Sequence, residues 1–248
     1  METIDITPIL NEYTRWKNNT SGSYNEQILL DNLMINDSEL YDSFYKEINF
    51  GTSGLRGIMG LGPNRMNKYV VTRATRGISE YLKRLYPEGA NVIISYDTRN
   101  HSQEFAKIAA QAFLDMGIDA YIFKEPTPVP VLSYAIRETG ANLGIMITAS
   151  HNPKIYNGYK VYNSEGHQIV GSQAADIMNE IRKWDYFDLP NKNIKLKYIS
   201  GNISDDFIKS TMTSCDNILE NLNQEYEKTL KIIYTPLNGT GRNYVMKG

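Results

Sequence analysis

Ser150 and His151 stand side by side in Ile147-Thr148-Ala149-Ser150-His151-Asn152-Pro153, and Asn157-Gly158-Tyr159-Lys160 follow within ten residues. A hydroxyl beside an imidazole raises nucleophilic catalysis. A Ser-His-Asp hydrolase fails on detail: the chain has no Gly-X-Ser-X-Gly elbow, and a sequence-adjacent histidine is badly placed as its neighbour's base. Phosphoryl transfer fits better, because a serine hydroxyl can carry a phosphoryl group and split one step into two. That chemistry demands positioning, cations around the phosphoryl oxygens and a metal. Arg56, Lys160 and Arg99 are the candidate cations. The plain alternative is a turn, since Ser, Asn and Pro are turn formers. A turn has no need, however, of a loop bearing Thr148, Ser150, His151, Asn152 and Asn157 together, beside the flexible corner that Asn157-Gly158 offers.

Each of these residues carries a second reading. Arg56 is flanked by Gly51, Gly54 and Gly57, a density that permits the close backbone approach of an anion site; it could equally cap surface turns. Lys160 alternates with Tyr159 and Val161 and could face solvent from a strand. His151 serves either as a structural hydrogen-bonder or beside the reacting oxygens. Arg99 either contacts substrate or pairs with Asp97 to position a loop. His101 and His167 read as surface or cap residues, and Asp119, Asp176 and Asp185 show no metal-ligand spacing.

Such a loop needs a scaffold. Helical periodicity runs over residues 68–85, 101–116 (stopped by Gly117), 129–138 (with Pro128 and Pro130 at its start) and 172–184. Short apolar runs at 91–96, 119–123 and 143–147 read as strands. Their alternation predicts an α/β fold: a mainly parallel mixed sheet, built through right-handed crossovers and flanked by helices. Such sheets bind ligands beyond the carboxyl ends of their strands, and Ser150 falls three residues past the run 143–147. Residues 159–162 read as a strand at the sheet edge.

The chain divides into an N-terminal helical extension (1–49), a main domain (50–189), a linker (190–203) and the incomplete start of a second similar αβ domain (204–248). In the last part, 204–222 reads as a helix, 230–234 as a buried strand and 235–241 as a glycine-rich loop. One helix and one strand cannot close a core, so a fragment of a longer protein is expected. Cys215 shares an apolar stripe with Ile208, Met212, Leu219 and Leu222 and reads as a buried core thiol.

Composition sets the outer bounds. The formal charge of −2 argues against nucleic acid and against a polybasic membrane protein, although a local phosphate pocket is compatible with it. One cysteine forbids an intrachain disulfide, and the acidic start METIDITPIL has no signal-peptide core. No apolar run is long enough to span a bilayer. The cytoplasm is the default compartment.

The serine loop with its trailing Asn157-Gly158-Tyr159-Lys160 resembles the phosphoserine loop of the α-D-phosphohexomutases. Phe50-Gly51-Thr52-Ser53-Gly54-Leu55-Arg56-Gly57 is similar to that family's N-terminal signature, with Tyr96-Asp97-Thr98-Arg99 and Thr127-Pro128-Val129-Pro130 in support. The resemblance covers the chain from about Phe50 onward and implies a specific reaction. Ser150, phosphorylated at rest, donates its phosphoryl group to a sugar monophosphate, and the bisphosphate reorients and returns the other one. His151 and Lys160 would hold or protonate the reacting oxygens, and Arg56 would contact the transferred group. The resemblance also implies Mg²⁺, bridging the serine phosphate to three aspartates of an Asp-X-Asp-X-Asp-Arg loop in a second domain. No such string occurs in this chain. The expectation is therefore that these 248 residues have little or no mutase activity without the missing C-terminal domains.

The segment before Phe50, with Gly62-Pro63-Asn64-Arg65-Met66-Asn67 and Thr235-Pro236-Leu237-Asn238-Gly239-Thr240-Gly241, looks most like the phosphoglucomutase/phosphopentomutase branch. That implies glucose 1-phosphate and glucose 6-phosphate as the interconverted pair, with glucose 1,6-bisphosphate as activator and intermediate. Phosphopentomutase, phosphomannomutase and glucose-1,6-bisphosphate synthase activities stay open, as does a non-catalytic sugar-phosphate-binding module.

Overall fold

The computed structural model describes residues 5–51, 54–191, 194–221 (217–221 as backbone) and 231–247. Three short helices come first: α1 (Thr7–Asn19), α2 (Tyr24–Leu33) and α3 (Asp37–Phe44). Helices this short are marginal alone and need tertiary packing. Trp16 supplies it. Its side chain is fully buried, and its ring meets those of Phe44 (6.1 Å between centroids), Tyr69 (5.2 Å), Tyr186 (5.4 Å) and Phe187 (5.3 Å). The indole N–H donates to Glu12 at 3.0 Å, so the buried ring leaves no polar atom unpaired. Glu47 adds a second tie, accepting from Arg73 at 2.7 Å and Arg182 at 2.9 Å.

The main body runs β1 (Leu55–Ile58), α4 (Lys68–Leu85), β2 (Asn91–Tyr96), α5 (Ser102–Asp115), β3 (Asp119–Ile122), α6 (Val129–Thr139), β4 (Leu143–Ile147), β5 (Tyr156–Asn163) and α7 (Gly171–Ile181). After it come β6 (Lys197–Tyr198), α8 (Ile203–Asn221) and α9 (Arg242–Val245). The described strands form one sheet in the order β1-β5-β4-β2-β3-β6. β4, β2, β3 and β6 are parallel neighbours, and β5 is antiparallel to both β4 and β1. This is the expected mixed, mainly parallel α/β sheet.

Both faces of the central strands are covered, which is why they read as unbroken apolar runs. Val92, Ile94, Ile145 and Ile147 join Val70, Ile78, Phe113 and Ile177 in one core, under α4, α5 and α7. Ile93 and Met146 point the other way, toward Leu132 and Ile136 of α6 and Ile203 of α8. Asn67 starts α4 by accepting the Val70 N–H at 2.9 Å, and Gly140 ends α6 in the left-handed region at φ 66°.

Several expectations need correction. β5 lies inside the sheet, and the outer strand is β1, whose four residues follow the glycine motif too closely to show a period. Thr52 and Ser53 of that motif lie outside the described residues. The segment read as a linker contributes β6, paired with β3 at Tyr121 and Ile122. Cys215 is exposed, because α8 meets α6 only through its first turns, with Ile203 and Phe207 in the second core. Met212 is 41% exposed, and the side chains of Leu219 and Leu222 lie outside the described residues. Residues 231–234 carry no strand: Ile232 and Ile233 are 77% and 98% exposed, and no described strand pairs with them. Leu230 lies outside the description. None of the described helices is long and apolar enough to cross a membrane.

Trp16 gives a direct check on how firmly the N-terminal helices belong to this core. Trp16→Ala should destabilise the protein by about 3–5 kcal/mol, the usual loss for a fully buried large aromatic, read as a lower urea midpoint with an unchanged slope. A loss within about 0.5 kcal/mol, the range of ordinary surface substitutions, would show that Trp16 does not tie the N-terminal helices to this core.

Candidate active site

β2 and β4 lie side by side with Tyr96 opposite Ile147, so the loops that follow them start at the same end of the sheet. α5 leaves β2 on one face and α6 approaches β4 on the other. The winding reverses there, and a crevice opens between the strand ends. It forms a cleft of about 830 Å³ lined by Asp97, Arg99, Ser150 and Asn152, by Val129 at the start of α6, and by Asn238, Gly239 and Thr240. The glycine-rich loop thus closes one side, with the Thr98 hydroxyl donating to the Asn238 carbonyl.

Asp97 is the first residue past β2. One carboxylate oxygen accepts from the Ser102 hydroxyl at 2.6 Å and the Arg99 N–H at 3.0 Å. The other accepts from the Thr148 hydroxyl at 2.6 Å and lies 3.4 Å from Arg99 Nε. Ser102 in turn accepts from buried Asn157 at 3.0 Å, and the same amide donates to the Asn100 carbonyl. One carboxylate therefore joins the ends of β2, β4 and β5 and the start of α5.

Ser150 is held on this frame in a left-handed backbone conformation, φ 55°, that a residue with a side chain adopts at a cost. The Thr148 hydroxyl, already donating to Asp97, accepts the Ser150 N–H at 2.9 Å. The Arg99 guanidinium donates to the carbonyls of Ser150 (2.7 Å), Asn152 (2.5 Å), Pro153 (3.0 Å) and Tyr156 (3.2 Å). The Ser150 hydroxyl is exposed, and Lys160 Nζ donates to it at 2.9 Å. Lys160 reaches it from β5, opposite Met146 on β4. Burial and the nearby Arg56 charge lower the Lys160 pKa below 10.5, with Asp97 partly opposing.

Arg56 arrives from β1, opposite Gly158 of β5. Its Nη1 donates to Asn152 at 3.1 Å, and its buried Nε has no partner among the described residues. Gly158 lets these strands close: a Cβ there would stand 2.6 Å from the Thr148 carbonyl oxygen and 2.8 Å from that of Leu55. Asn157-Gly158, expected as a flexible corner, is instead buried strand.

Of the predicted residues, the fold gathers Ser150, Lys160, Arg56 and Arg99 at one place. His151 is exposed beside Ser150 with no hydrogen bond to a described residue. Arg99, read either as a substrate contact or as a loop-positioning partner of Asp97, has its guanidinium engaged by four backbone carbonyls and Asp97. Asp97 and Thr148 carry larger parts than their place in the motifs suggests, and Ser102 joins them. The available signal was an Asp at a strand end, two residues before an Arg and five before the Ser that opens α5. His101 sits left-handed at the start of α5, bonded to Glu104, and His167 is exposed near Glu165.

Residues 47–187 match the profile of the phosphoglucomutase/phosphomannomutase α/β/α domain I. A phosphoglucomutase of Staphylococcus haemolyticus is 38% identical over 80% of this chain and 36% of its own length. A phosphopentomutase of Mus musculus is 33% identical over 94% of the chain and 39% of its own. The crystal structure of a Thermus thermophilus protein provisionally named a phosphomannomutase superposes with a TM-score of 0.58, at 26% identity, over 68% of this chain and 36% of that one. The chain thus spans somewhat over a third of the length of these relatives.

The Lys160 environment predicts a pH effect. A lysine with a folded pKa below its unfolded value of 10.5 releases its proton first in the folded protein. Between the two values the unfolded chain holds more protons, so stability attributable to this group rises with pH. The melting temperature of the native chain minus that of Lys160→Met should therefore increase as the pH is raised toward 10.5. A pH-independent difference would show that the amine titrates normally.

Proposed function

The chain belongs to the phosphoglucomutase/phosphomannomutase family, and from that premise we propose that Ser150 is the phosphoryl-carrying residue of a sugar-phosphate mutase. The observation that carries this reading is the Ser150 hydroxyl, exposed on a strained backbone at the strand-end crevice with Lys160 Nζ 2.9 Å away. The proposed reaction interconverts glucose 1-phosphate and glucose 6-phosphate through glucose 1,6-bisphosphate. Relatives named phosphopentomutase support a pentose phosphate as the second choice.

In the proposed step a phosphoryl group passes from the bisphosphate to Ser150. The Oγ–P bond forms as the sugar O–P bond breaks. The hydroxyl proton moves to the Lys160 amine in its neutral form, the direction in which burial and Arg56 bias it, and the departing sugar oxygen takes a proton from the solvent-exposed His151 side. The reverse transfer runs the same protons backward. Arg56 and protonated Lys160 stabilise the charge on the phosphoryl oxygens.

The family implies Mg²⁺. Among the described residues no three His, Cys, Asp or Glu side chains converge to hold a metal. Asp97, the one carboxylate among the described residues of the cleft lining, is engaged by Ser102, Thr148 and Arg99. These residues do not make a Mg²⁺ site among themselves; a phosphate on Ser150 is what they would contribute to one. We accordingly propose that these 248 residues exchange phosphate at Ser150 but do not turn over as a complete mutase.

Intact-mass measurement after incubation with glucose 1,6-bisphosphate should show one added phosphate, mapped to Ser150 and absent in Ser150→Ala. A full-length protein that takes no phosphate at Ser150, with the bisphosphate and Mg²⁺ supplied, sinks the carrier role. Coupled assays with glucose, mannose and ribose phosphates should show no sustained turnover by the isolated chain, and full turnover would overturn that part.

A further inference from the structure

Of the two readings of Arg99, substrate contact or loop positioning with Asp97, its contacts bear on the second. A guanidinium has five N–H donors in a planar fork and no acceptor. Here Nη1 serves the carbonyls of Pro153 and Tyr156, Nη2 those of Ser150 and Asn152, and Nε faces the Asp97 carboxylate. The fork is full before any substrate arrives. The side chain is only 13% exposed, so the arrangement is a built interior contact.

The acceptors matter as much as the donor. Three of the carbonyls, those of Ser150, Asn152 and Pro153, lie within the turn that links β4 to β5, and the fourth is that of Tyr156, the first residue of β5; backbone oxygens in such a turn have no strand ladder and need partners. Ser150 is the one residue of that turn with a left-handed backbone, and its own carbonyl is among the four. Asp97 completes the linkage. It orients the guanidinium through Nε and anchors Thr148, whose hydroxyl takes the Ser150 N–H. Ser150 is thus gripped on both sides of its Cα, by Thr148 at its N–H and by Arg99 at its carbonyl. Its hydroxyl is aimed at Lys160.

We infer that Arg99 is a positioning residue for phosphoryl transfer: its guanidinium clamps the Ser150–Tyr156 backbone and fixes the direction of the Ser150 hydroxyl, an inference that rests on the proposed carrier role of Ser150. Lysine cannot substitute. Its ammonium is a compact charge on a flexible stem and cannot serve four carbonyls and a carboxylate in one plane. A substrate-binding arginine would behave differently, since its loss weakens binding of the phosphate donor.

The test compares native protein, Arg99→Lys and Arg99→Met. The rate of Ser150 phosphorylation is followed by mass over a series of glucose 1,6-bisphosphate concentrations, and amide hydrogen exchange is measured over residues 149–156. Both variants should lose about a hundredfold in maximal rate, the scale of a misplacement of about 1 Å. The half-saturating bisphosphate concentration should stay within about twofold, as expected when an interaction acts on the transfer step rather than on binding. Loop amides should exchange faster in both. Arg99→Lys phosphorylated at the native rate, a raised half-saturating concentration with the maximal rate kept, or unchanged loop exchange would each overturn the inference. Should Arg99→Met fail to fold by circular dichroism, Arg99→Lys decides alone, because it keeps a charge for Asp97. A full-length protein that takes no phosphate at Ser150 refutes the carrier reading, while the exchange measurement still decides the clamp.

Discussion

Everything at the cleft hangs on how one carboxylate disposes of its lone pairs. Asp97 is mostly buried, 14% exposed at its side chain, and a buried carboxylate is tolerable only when hydrogen-bonded and paired with positive charge. Its donors are drawn from three chain segments: the Arg99 N–H and guanidinium beside it, Ser102 at the start of α5, and Thr148 past β4. Satisfying Asp97 therefore sets where two loops and a helix stand relative to one another. Ser150 inherits its place from that arrangement, two residues beyond Thr148. The parallel pairing of β2 with β4 makes this reach geometrically short.

The antiparallel part of the sheet does different work. β5 turns back directly after the serine loop, so Lys160 reaches a hydroxyl only ten residues behind it in sequence. β1 then adds Arg56 on the far side of β5, at a distance set by the bare Cα of Gly158. Two cations are thus delivered to one rim by a pair of strands whose backbones touch. Burial, joined by the nearby Arg56 charge, lowers the Lys160 pKa there. An anion placed between the two cations would relieve their repulsion, and the proposed transfer would supply one as a phosphoryl group.

Much of this was legible beforehand, for identifiable reasons. β2 and β4 are buried on both faces, so NVIISY and LGIMI announce themselves as unbroken apolar runs, and Ser150 could be placed at a strand end from its offset alone. β1 gave no such signal, being four residues with a glycine inside. β5 carries Asn157, Gly158 and Lys160 where an ordinary buried strand would carry apolar side chains, because its polar groups face the site. Residues 231–234 show the converse: Ile232 and Ile233 look like a strand, but a strand exists only through a neighbour's hydrogen bonds, and no described strand supplies them. The pairing of Arg99 with Asp97 could be read from their spacing, but its carbonyl partners, more than fifty positions away, carry no residue identity to read.

The left-handed backbone at Ser150 has a consequence for what this position can become. An L-residue held there gives up roughly 1–2 kcal/mol that glycine would not. A chain selected for durability alone would drift toward glycine, or toward asparagine, which tolerates that region better than serine does. Either would keep the turn and its carbonyls while removing the hydroxyl. The serine thus stands against the local conformational preference, and under the proposed carrier role position 150 is a point where the demands of a robust fold and of a reactive oxygen pull in opposite directions.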